Sequence, residues 1–159
     1  MSCVKCKEYP NSHSFYHIGT TNQGFEIIYT CPSKTLHFNG SDPLFVEYFD
    51  EHLRVLNGKP WVWIFDCKNY TMKHMVSIEN LRKLTKYLYK EHSHRLQASY
   101  VLHASPFFSQ MMKLVLPLLT KDDQKRIHIL PSQPLDALIR MEKEGFSITQ
   151  VASFLKSSP

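Results

Sequence analysis

The sequence has little glycine, few cysteines and no long apolar run, and each absence excludes a class of protein. Only five of the 159 residues are glycine, so a glycine-rich phosphate-binding loop is not expected. Four cysteines are too few for a disulfide-stabilised scaffold. No apolar run approaches the roughly 20 residues that span a bilayer, and the N-terminus lacks the apolar segment of a signal peptide. We therefore expect a cytoplasmic protein with reduced thiols.

Motifs that carry common enzyme chemistries are also missing. The chain has no Gly-x-Ser-x-Gly elbow, no His-Glu-x-x-His motif and no P-loop. Asp66 follows an apolar run, and α/β enzymes place catalytic groups at the carboxyl ends of strands. An aspartate at this position also suits a helix cap or a loop hydrogen bond. We therefore expect no enzyme activity, no catalytic residues and no cofactor.

The N-terminal segment contains four side chains that could bind a metal, namely Cys3, Cys6, His13 and His17. Thiolates and imidazoles suit zinc, and the two histidines are four residues apart, as in zinc fingers. The six residues between Cys6 and His13 are fewer than the usual spacing of about 12. Zinc binding, an added strand and an irregular segment are the alternatives, and we predict an irregular segment over residues 1–24 without bound metal.

Positive charge is concentrated in the second half of the chain. The formal net charge is +5, and residues 80–126 contain nine lysines and arginines but only three acidic residues. Such a surface attracts anionic lipid, an acidic protein or nucleic acid. Tyr87 and Tyr89 lie among the lysines without forming a nucleic-acid-binding motif, so no nucleic-acid partner is expected. The predicted basic face consists of Arg82, Lys86, Lys90, Lys121, Lys125 and Arg126.

The composition and the apolar patterns predict one folded domain over residues 25–159. Apolar residues make up 43% of the chain and aromatic residues 13%, which is enough for a packed core. Patterns typical of strands and helices alternate along the chain. This alternation predicts an α/β fold with a mixed, mostly parallel β-sheet flanked by helices. The predicted strands are 25–30, 61–65, 98–103 and 127–130, and the predicted helices are 42–56, 75–92, 106–120, 134–143 and 148–155.

The predicted helix over 106–120 is apolar around much of its circumference. Such a helix must be buried, cover a ligand or contact a membrane. Its paired Met111 and Met112 would form an adaptable surface for apolar ligands, and Pro117 would kink it. An ordinary core helix is the alternative interpretation.

Three segments carry a resemblance to a known family. Residues 61–69, Trp-Val-Trp-Ile-Phe-Asp-Cys-Lys-Asn, resemble the strand ending in Asp-x-x-Gly of CRAL-TRIO lipid-binding domains. Residues 99–108, Ser-Tyr-Val-Leu-His-Ala-Ser-Pro-Phe-Phe, resemble that family's Ile-Ile-Asn-Ala-Pro-x-x-Phe segment. Residues 114–119 and 125–130 resemble its Pro-Phe-Leu and Lys-Ile-x-x-Leu segments. The likeness extends over about residues 25–140 and preserves the order of the elements.

The resemblance implies a sheet that forms the floor of an apolar pocket, with residues 106–120 as a mobile gate helix. The implied function is binding of a lipid or another hydrophobic small molecule, with its transfer between membranes, and docking of the basic face to anionic membrane surfaces. The protein would then associate peripherally with membranes. The predicted ligand-binding residues are Trp61, Trp63, Phe65, Tyr100, Leu102, His103, Phe107, Phe108, Met111, Met112, Val115 and Leu119.

Departures from the family pattern support a second hypothesis. The positions of the headgroup-binding Glu and Lys of phosphatidylinositol-transfer members hold His94 and Arg126 here, and Trp61 and Trp63 replace two hydroxyl residues that contact phosphate. These changes argue against phosphoinositide binding, and the family's N-terminal helical domain is not recognisable. His103 replaces the Asn of the Asn-Ala-Pro segment, as in the scaffold branch of the family. The alternative function is therefore a protein-interaction scaffold with a reduced pocket that binds small GTPases or their regulators.

Overall fold

A five-stranded sheet forms the centre of the computed structural model, which describes residues 4–9, 14–34, 44–74 and 77–157. The predicted mixed α/β fold is confirmed. The strands are β1 (Phe15–Thr20), β2 (Glu26–Thr30), β3 (Trp61–Asp66), β4 (Leu96–Leu102) and β5 (Ile127–Ile129). The helices are α1 (Val4–Glu8), α2 (Phe45–Leu53), α3 (Ile78–His92), α4 (Pro106–Val115), α5 (Lys121–Lys125), α6 (Pro134–Lys143) and α7 (Ile148–Ser157).

The strands lie side by side in chain order. β1 and β2 form an antiparallel hairpin, whereas β2, β3, β4 and β5 are parallel neighbours. Each parallel connection therefore steps in the same direction across the sheet. Because such crossovers are right-handed, their helices are expected on one face. The packing agrees, since α2, α3 and α4 cover one face and α6 and α7 cover the other.

Strand β3 is covered on both faces, as its continuous apolar run predicts. Side chains alternate between the two faces of a strand. Val62 and Ile64 pack into the core under α6 and α7. Trp61, Trp63 and Phe65 point to the opposite face, beneath α2, α3 and α4. The sheet thus separates two cores, one on each side.

Strand β1 corrects the prediction that residues 1–24 are irregular. Residues 15–20 pair with β2, and α1 lies further upstream. Tertiary contacts stabilise this strand: buried Phe15 packs edge-on against Phe49 of α2 with ring centroids 5.7 Å apart. On the opposite side, the Gln150 side-chain amide of α7 donates a hydrogen bond to the Ile18 carbonyl.

Helix α4 is shorter than predicted. Ser105 caps its N-terminus, with the side-chain oxygen accepting from the Phe108 N–H at 3.2 Å. The α-helix ends at Val115 and a 3₁₀ turn over Leu116–Leu118 follows. Pro117 lies within this turn and cannot donate to the helical ladder. The sequence also did not predict the short α5. The expected helix starts at residues 42–43 and 75 lie outside the described residues.

Candidate ligand-binding cavity

A cavity of about 220 Å³ lies between the sheet and the layer formed by α2, α3 and α4. Its floor is the face of the sheet that these helices cover, and most of its wall is aliphatic or aromatic. The floor residues are Thr30, Trp63, Phe65, Ser99, Val101 and Ile127. The helices contribute Phe45, Tyr48, Phe49, Leu81, Leu84, Thr85, Leu88, Tyr89, Phe108, Met111, Met112 and Val115.

Two aromatic residues of β3 set the shape of the floor. Trp63 and Phe65 are only partly buried although a helix layer covers them, because the cavity lies above them. The Trp63 indole donates to the Thr30 hydroxyl at 2.8 Å. It also packs edge-on against Phe49 and Phe65, with ring centroids 5.8 and 5.6 Å apart. The indole therefore has a fixed orientation and an internal partner for its only donor.

The Tyr70 hydroxyl contacts the part of the cavity wall that α4 forms. Phe108 and Met111 are buried, and the Tyr70 hydroxyl donates to the Met111 sulfur at 3.1 Å. Burial raises the pKa of Tyr70 to about 12, so the phenol stays protonated at neutral pH. Met112 and Val115 complete this wall.

The charge within the cavity is confined to one end. His74 lines the wall, and burial, with a smaller contribution from Lys73, lowers its pKa. This imidazole is therefore mostly neutral at pH 7. Within the described part of the lining, the one carboxyl group and the one guanidinium group belong to Asp123 and Arg126. Arg126 donates from one guanidinium nitrogen to the Ser93 and Leu96 carbonyls, at 2.7 and 3.1 Å.

More than half of the predicted ligand-binding residues line this cavity. The seven are Trp63, Phe65, Phe108, Met111, Met112, Val115 and Leu119. All seven come from the sheet or from residues 106–120, the two parts of the chain between which the sequence predicted the pocket. Their roles in binding remain predictions.

Tyr100 and Leu102 lie on the wrong face of the sheet for this cavity. Tyr100 is opposite Ile64 and Val101 is opposite Phe65 in the pairing of β4 with β3, and paired residues share a face. Tyr100 packs edge-on against Phe146, with ring centroids 5.0 Å apart, in the other core. Val101 and Ser99 take the expected places on the cavity floor.

Three further predicted residues lie outside the lining. Trp61 is 1% exposed and packs in the core beneath α2 and α3. Phe107 lies against Tyr70, with ring centroids 5.7 Å apart. His103 follows β4 and hydrogen-bonds to Asp66 rather than facing the cavity.

The sequence did not predict the contribution of α2 and α3 to the wall. The apolar stripe of α2, with Phe45 and Phe49, is a pattern that core packing and cavity lining share. The same holds for Leu81, Leu84 and Leu88 on α3. Helical periodicity shows which side of a helix faces the sheet, whereas the space left between them depends on how the side chains interlock.

The basic face is divided between free, paired and inward-facing groups. Arg82 and Lys86 on α3 are exposed and make no ion pair with the residues that the structure describes. Lys90 pairs with Glu91 and Lys125 with Asp122. Lys121 is exposed on α5. Arg126 belongs to the cavity end instead, because backbone carbonyls hold its guanidinium.

Of the four N-terminal metal candidates, the structure describes Cys6 and His17, and these two contact different partners. Cys3 and His13 lie outside the described residues. His17 bonds to Glu26 at 2.5 Å, whereas Cys6 contacts His52 at 3.5 Å. Over 4–9, 14–34, 44–74 and 77–157, no group of three or more His, Cys, Asp and Glu side chains could hold a metal ion.

Asp66 forms a buried hydrogen-bond centre at the carboxyl edge of the sheet. Its carboxylate accepts from the Tyr29 hydroxyl at 2.6 Å, the Lys68 N–H at 2.8 Å and His103 Nδ1 at 2.8 Å. Burial, reinforced by this carboxylate, raises the pKa of Tyr29. The interpretation of Asp66 as a loop hydrogen-bond acceptor fits this geometry.

Two residues at this edge have left-handed backbone conformations. Asn69 has φ of 57° and His103 has φ of 51°. Glycine and asparagine adopt this region most readily. The resemblance implies Gly and Asn at these two positions, and both residue types suit this backbone region.

The mixed sheet, the helices on both of its faces and the apolar cavity beneath α2, α3 and α4 define a class of α/β domains that hold an apolar space above a sheet. Residues 44–143 match the CRAL/TRIO domain family, and the chain belongs to this family. The resemblance stated above is thereby confirmed. Family membership indicates binding of a lipid or another hydrophobic ligand, a function that is generally not enzymatic.

One solved structure illustrates the shared fold. The crystal structure of Sfh5 superposes with a TM-score of 0.53 and 12% sequence identity. The match covers 77% of this chain and 48% of Sfh5, so the chain spans about half the length of that protein. At this identity the likeness establishes the fold alone. A search of curated proteins returned no match.

Proposed function

We propose that the chain binds one single-chain lipid, such as a fatty acid, in the cavity between the sheet and α2–α4. The observation that carries this proposal is the apolar cavity itself, in whose wall Trp63, Thr30 and Tyr70 use polar groups for internal hydrogen bonds. Apolar cavities of about 150 Å³ already hold benzene. The volume here is larger, at about 220 Å³.

The size of the cavity favours one chain over a diacyl lipid. Typical small-molecule pockets have volumes of about 300–1,000 Å³, and this cavity lies below that range. Burying about eight methylene groups contributes about 6 kcal/mol, which supports useful affinity without a headgroup site. The charged end at Arg126 would receive the carboxylate of the ligand, and the apolar end at Phe65 and Phe108 would receive its tail.

A titration of the purified chain with a fluorescent fatty acid tests this proposal. We expect saturable binding of one probe per chain, with displacement by oleate, and a co-purifying single-chain lipid in native mass spectra. The diacyl lipid phosphatidylcholine should compete poorly, because it exceeds the cavity. A ligand-free protein that takes up neither probe would contradict the proposal.

Membrane docking through α3 is the second part of the proposal. Arg82 and Lys86 are exposed, and α3 neighbours α4, whose Leu114 and the following Leu118 are 47% and 41% exposed. Exposed cations on one helix and exposed leucines on the neighbouring segment suit an anionic bilayer surface. No described helix is long and apolar enough to cross a bilayer.

Replacing both Arg82 and Lys86 by Gln should weaken binding to phosphatidylserine-containing vesicles roughly 30-fold, since each charge contributes about 1 kcal/mol. Vesicle sedimentation measures this effect, and added salt should reduce wild-type binding in the same direction. The double variant of Arg140 and Lys143 is a matched control, because both are exposed on α6 beyond the opposite face of the sheet. Equal losses in the two double variants would show that net charge, rather than the α3 face, attracts the vesicles.

The scaffold alternative predicts a reduced pocket. Trp63 lines the cavity without filling it, and Trp61 packs away from it. This arrangement supports ligand binding over a collapsed pocket. Binding of a small GTPase together with failure to take up any lipid probe would reverse the preference.

A further inference from the structure

The thiol of Cys6 and the imidazole of His52 form a pair outside the cavity. Cys6 is on α1 and His52 is on α2, 46 positions later, with 3.5 Å between the sulfur and Nε2. Both residues are half-buried, so the pair is packed against the protein and still reachable from solvent. Nothing in the lipid-binding proposal uses it.

The orientation of His52 makes it a base toward the thiol. Its Nδ1 lies 2.6 Å from the Tyr48 carbonyl oxygen. A carbonyl can only accept, so Nδ1 carries the proton of the neutral ring. Nε2 then presents its lone pair to the Cys6 sulfur. The ring is fixed between Tyr48 and Phe15, with centroids 4.3 and 4.9 Å away.

A thiol, a facing base and a group that orients the base are the parts of an activated nucleophile. Transfer of the thiol proton to Nε2 gives a thiolate beside an imidazolium, and the thiolate is the reactive form of cysteine. The titratable groups near the pair include Tyr16 of β1, whose pKa burial raises, Tyr48 of α2, whose ring packs against His52, and the exposed Lys7 and Glu8 of α1. Tyr16 therefore adds no charge at neutral pH.

The other described thiols lack such an environment. Cys31 and Cys67 are each 2% exposed. Burial, together with the nearby Asp66 carboxylate, raises the pKa of Cys67, which disfavours its thiolate. Among the described cysteines, Cys6 alone combines solvent access with a base.

We infer that Cys6 is a nucleophilic thiol, activated by His52, that hydroperoxides oxidise to a sulfenic acid. The thiolate attacks the terminal peroxide oxygen, a sulfur–oxygen bond forms and the oxygen–oxygen bond breaks. Sulfur loses two electrons and the peroxide gains them. The alkoxide or hydroxide that leaves takes the proton from the His52 imidazolium, so the products are the sulfenic acid and an alcohol or water.

The test treats the full chain with hydrogen peroxide at pH 7 and traps sulfenic acid with dimedone. Lys5 separates Cys3 from Cys6, so cleavage after lysine places the two thiols on different peptides for mass spectrometry. We expect Cys6 to react at least about tenfold faster in the native chain than in the urea-unfolded chain, because an ordinary thiol is only a few per cent ionised at pH 7. Cys31 and Cys67 should stay unmodified in the native chain.

Variants at His52 test whether this imidazole is the group that activates the Cys6 thiol. His52→Gln should lower the rate at Cys6 about tenfold and move the onset of iodoacetamide labelling up to the ordinary thiol range near pH 8.5. His52→Phe keeps the ring packing against Phe15 and Tyr48 and should give the same loss. The inference is overturned if Cys6 reacts no faster in the native than in the unfolded chain, or if both variants keep the wild-type rate. The native-to-unfolded comparison needs no substitution, so it decides the matter even where a variant does not fold.

Discussion

Met112→Trp should weaken the binding of a fluorescent fatty acid at least about 100-fold. Met112 lines the cavity from α4, and an indole at this position would occupy space that the ligand needs. Excluding about four methylene groups costs about 3 kcal/mol of binding free energy, which corresponds to a factor of this size. Equilibrium titration monitored by probe fluorescence measures the effect.

Leu114→Trp is the matched control. Leu114 lies two positions further along the same helix, is 47% exposed and does not line the cavity. The probe should bind this variant within about twofold of wild type, since an exposed substitution leaves the cavity volume unchanged. Equal loss in both variants would mean that α4 is perturbed in general. Unchanged binding by Met112→Trp would place the ligand elsewhere.

Asp66→Ala should destabilise the protein by about 3 kcal/mol, because a buried donor left without its acceptor costs about 1–3 kcal/mol. Three donors converge on this carboxylate, those of Tyr29, Lys68 and His103, and Asp66 is 2% exposed. For a domain of this length the change lowers the Tm by roughly 6–12 °C. Thermal unfolding followed by circular dichroism measures it.

Tyr29→Phe is the companion variant, since it removes one donor and leaves the carboxylate with the other two. Its expected cost is about 1 kcal/mol, clearly less than that of Asp66→Ala. Asp136→Ala, an exposed aspartate in the first turn of α6, should change stability by no more than about 0.5 kcal/mol. If Asp66→Ala behaves like Asp136→Ala, the network contributes little to stability.

Local patterns in the sequence were sufficient for the central elements. The run at 61–65 is apolar at every position, short and bounded by turn residues, which fits a strand covered on both faces. The stripes of α2, α3 and α6 repeat at helical spacing. These signals act within one element and do not depend on how the elements assemble.

The assignment of β4 to its faces failed because it depends on another strand. Tyr100, Val101 and Leu102 are all apolar, so alternation in β4 alone does not show which of them faces the helix layer. The pairing of Val101 with Phe65 decides it, and strand register is a property of two strands together. The same register pairs Ser99 with Trp63, which puts Ser99 on the cavity face of the sheet as well.

Elements that depend on distant contacts were also missed. β1 has no pronounced apolar run, and it is held by pairing with β2 and by Phe15 inside the α2 core. The short α5 depends on its Thr120 cap, whose oxygen accepts from the Asp123 N–H at 3.1 Å. The family resemblance was sufficient to predict that α4 residues line the cavity. The space left between packed side chains, by contrast, cannot be predicted from any local pattern in the sequence.

The separation of the two cores by the sheet has a consequence for the energy landscape of the molecule. Ile64, Tyr100, Met141 and Phe146 pack on the side of α6 and α7 without contributing to the cavity. We therefore expect the helix layer above the cavity to open as a local unit, while the core under α6 and α7 keeps the strands in register. Amide hydrogens of α4 should then exchange through partial opening and those of β3 only through global unfolding, a difference that native-state hydrogen exchange measures. Ligand uptake would then require only the free energy of partial opening, which is lower than the free energy of global unfolding.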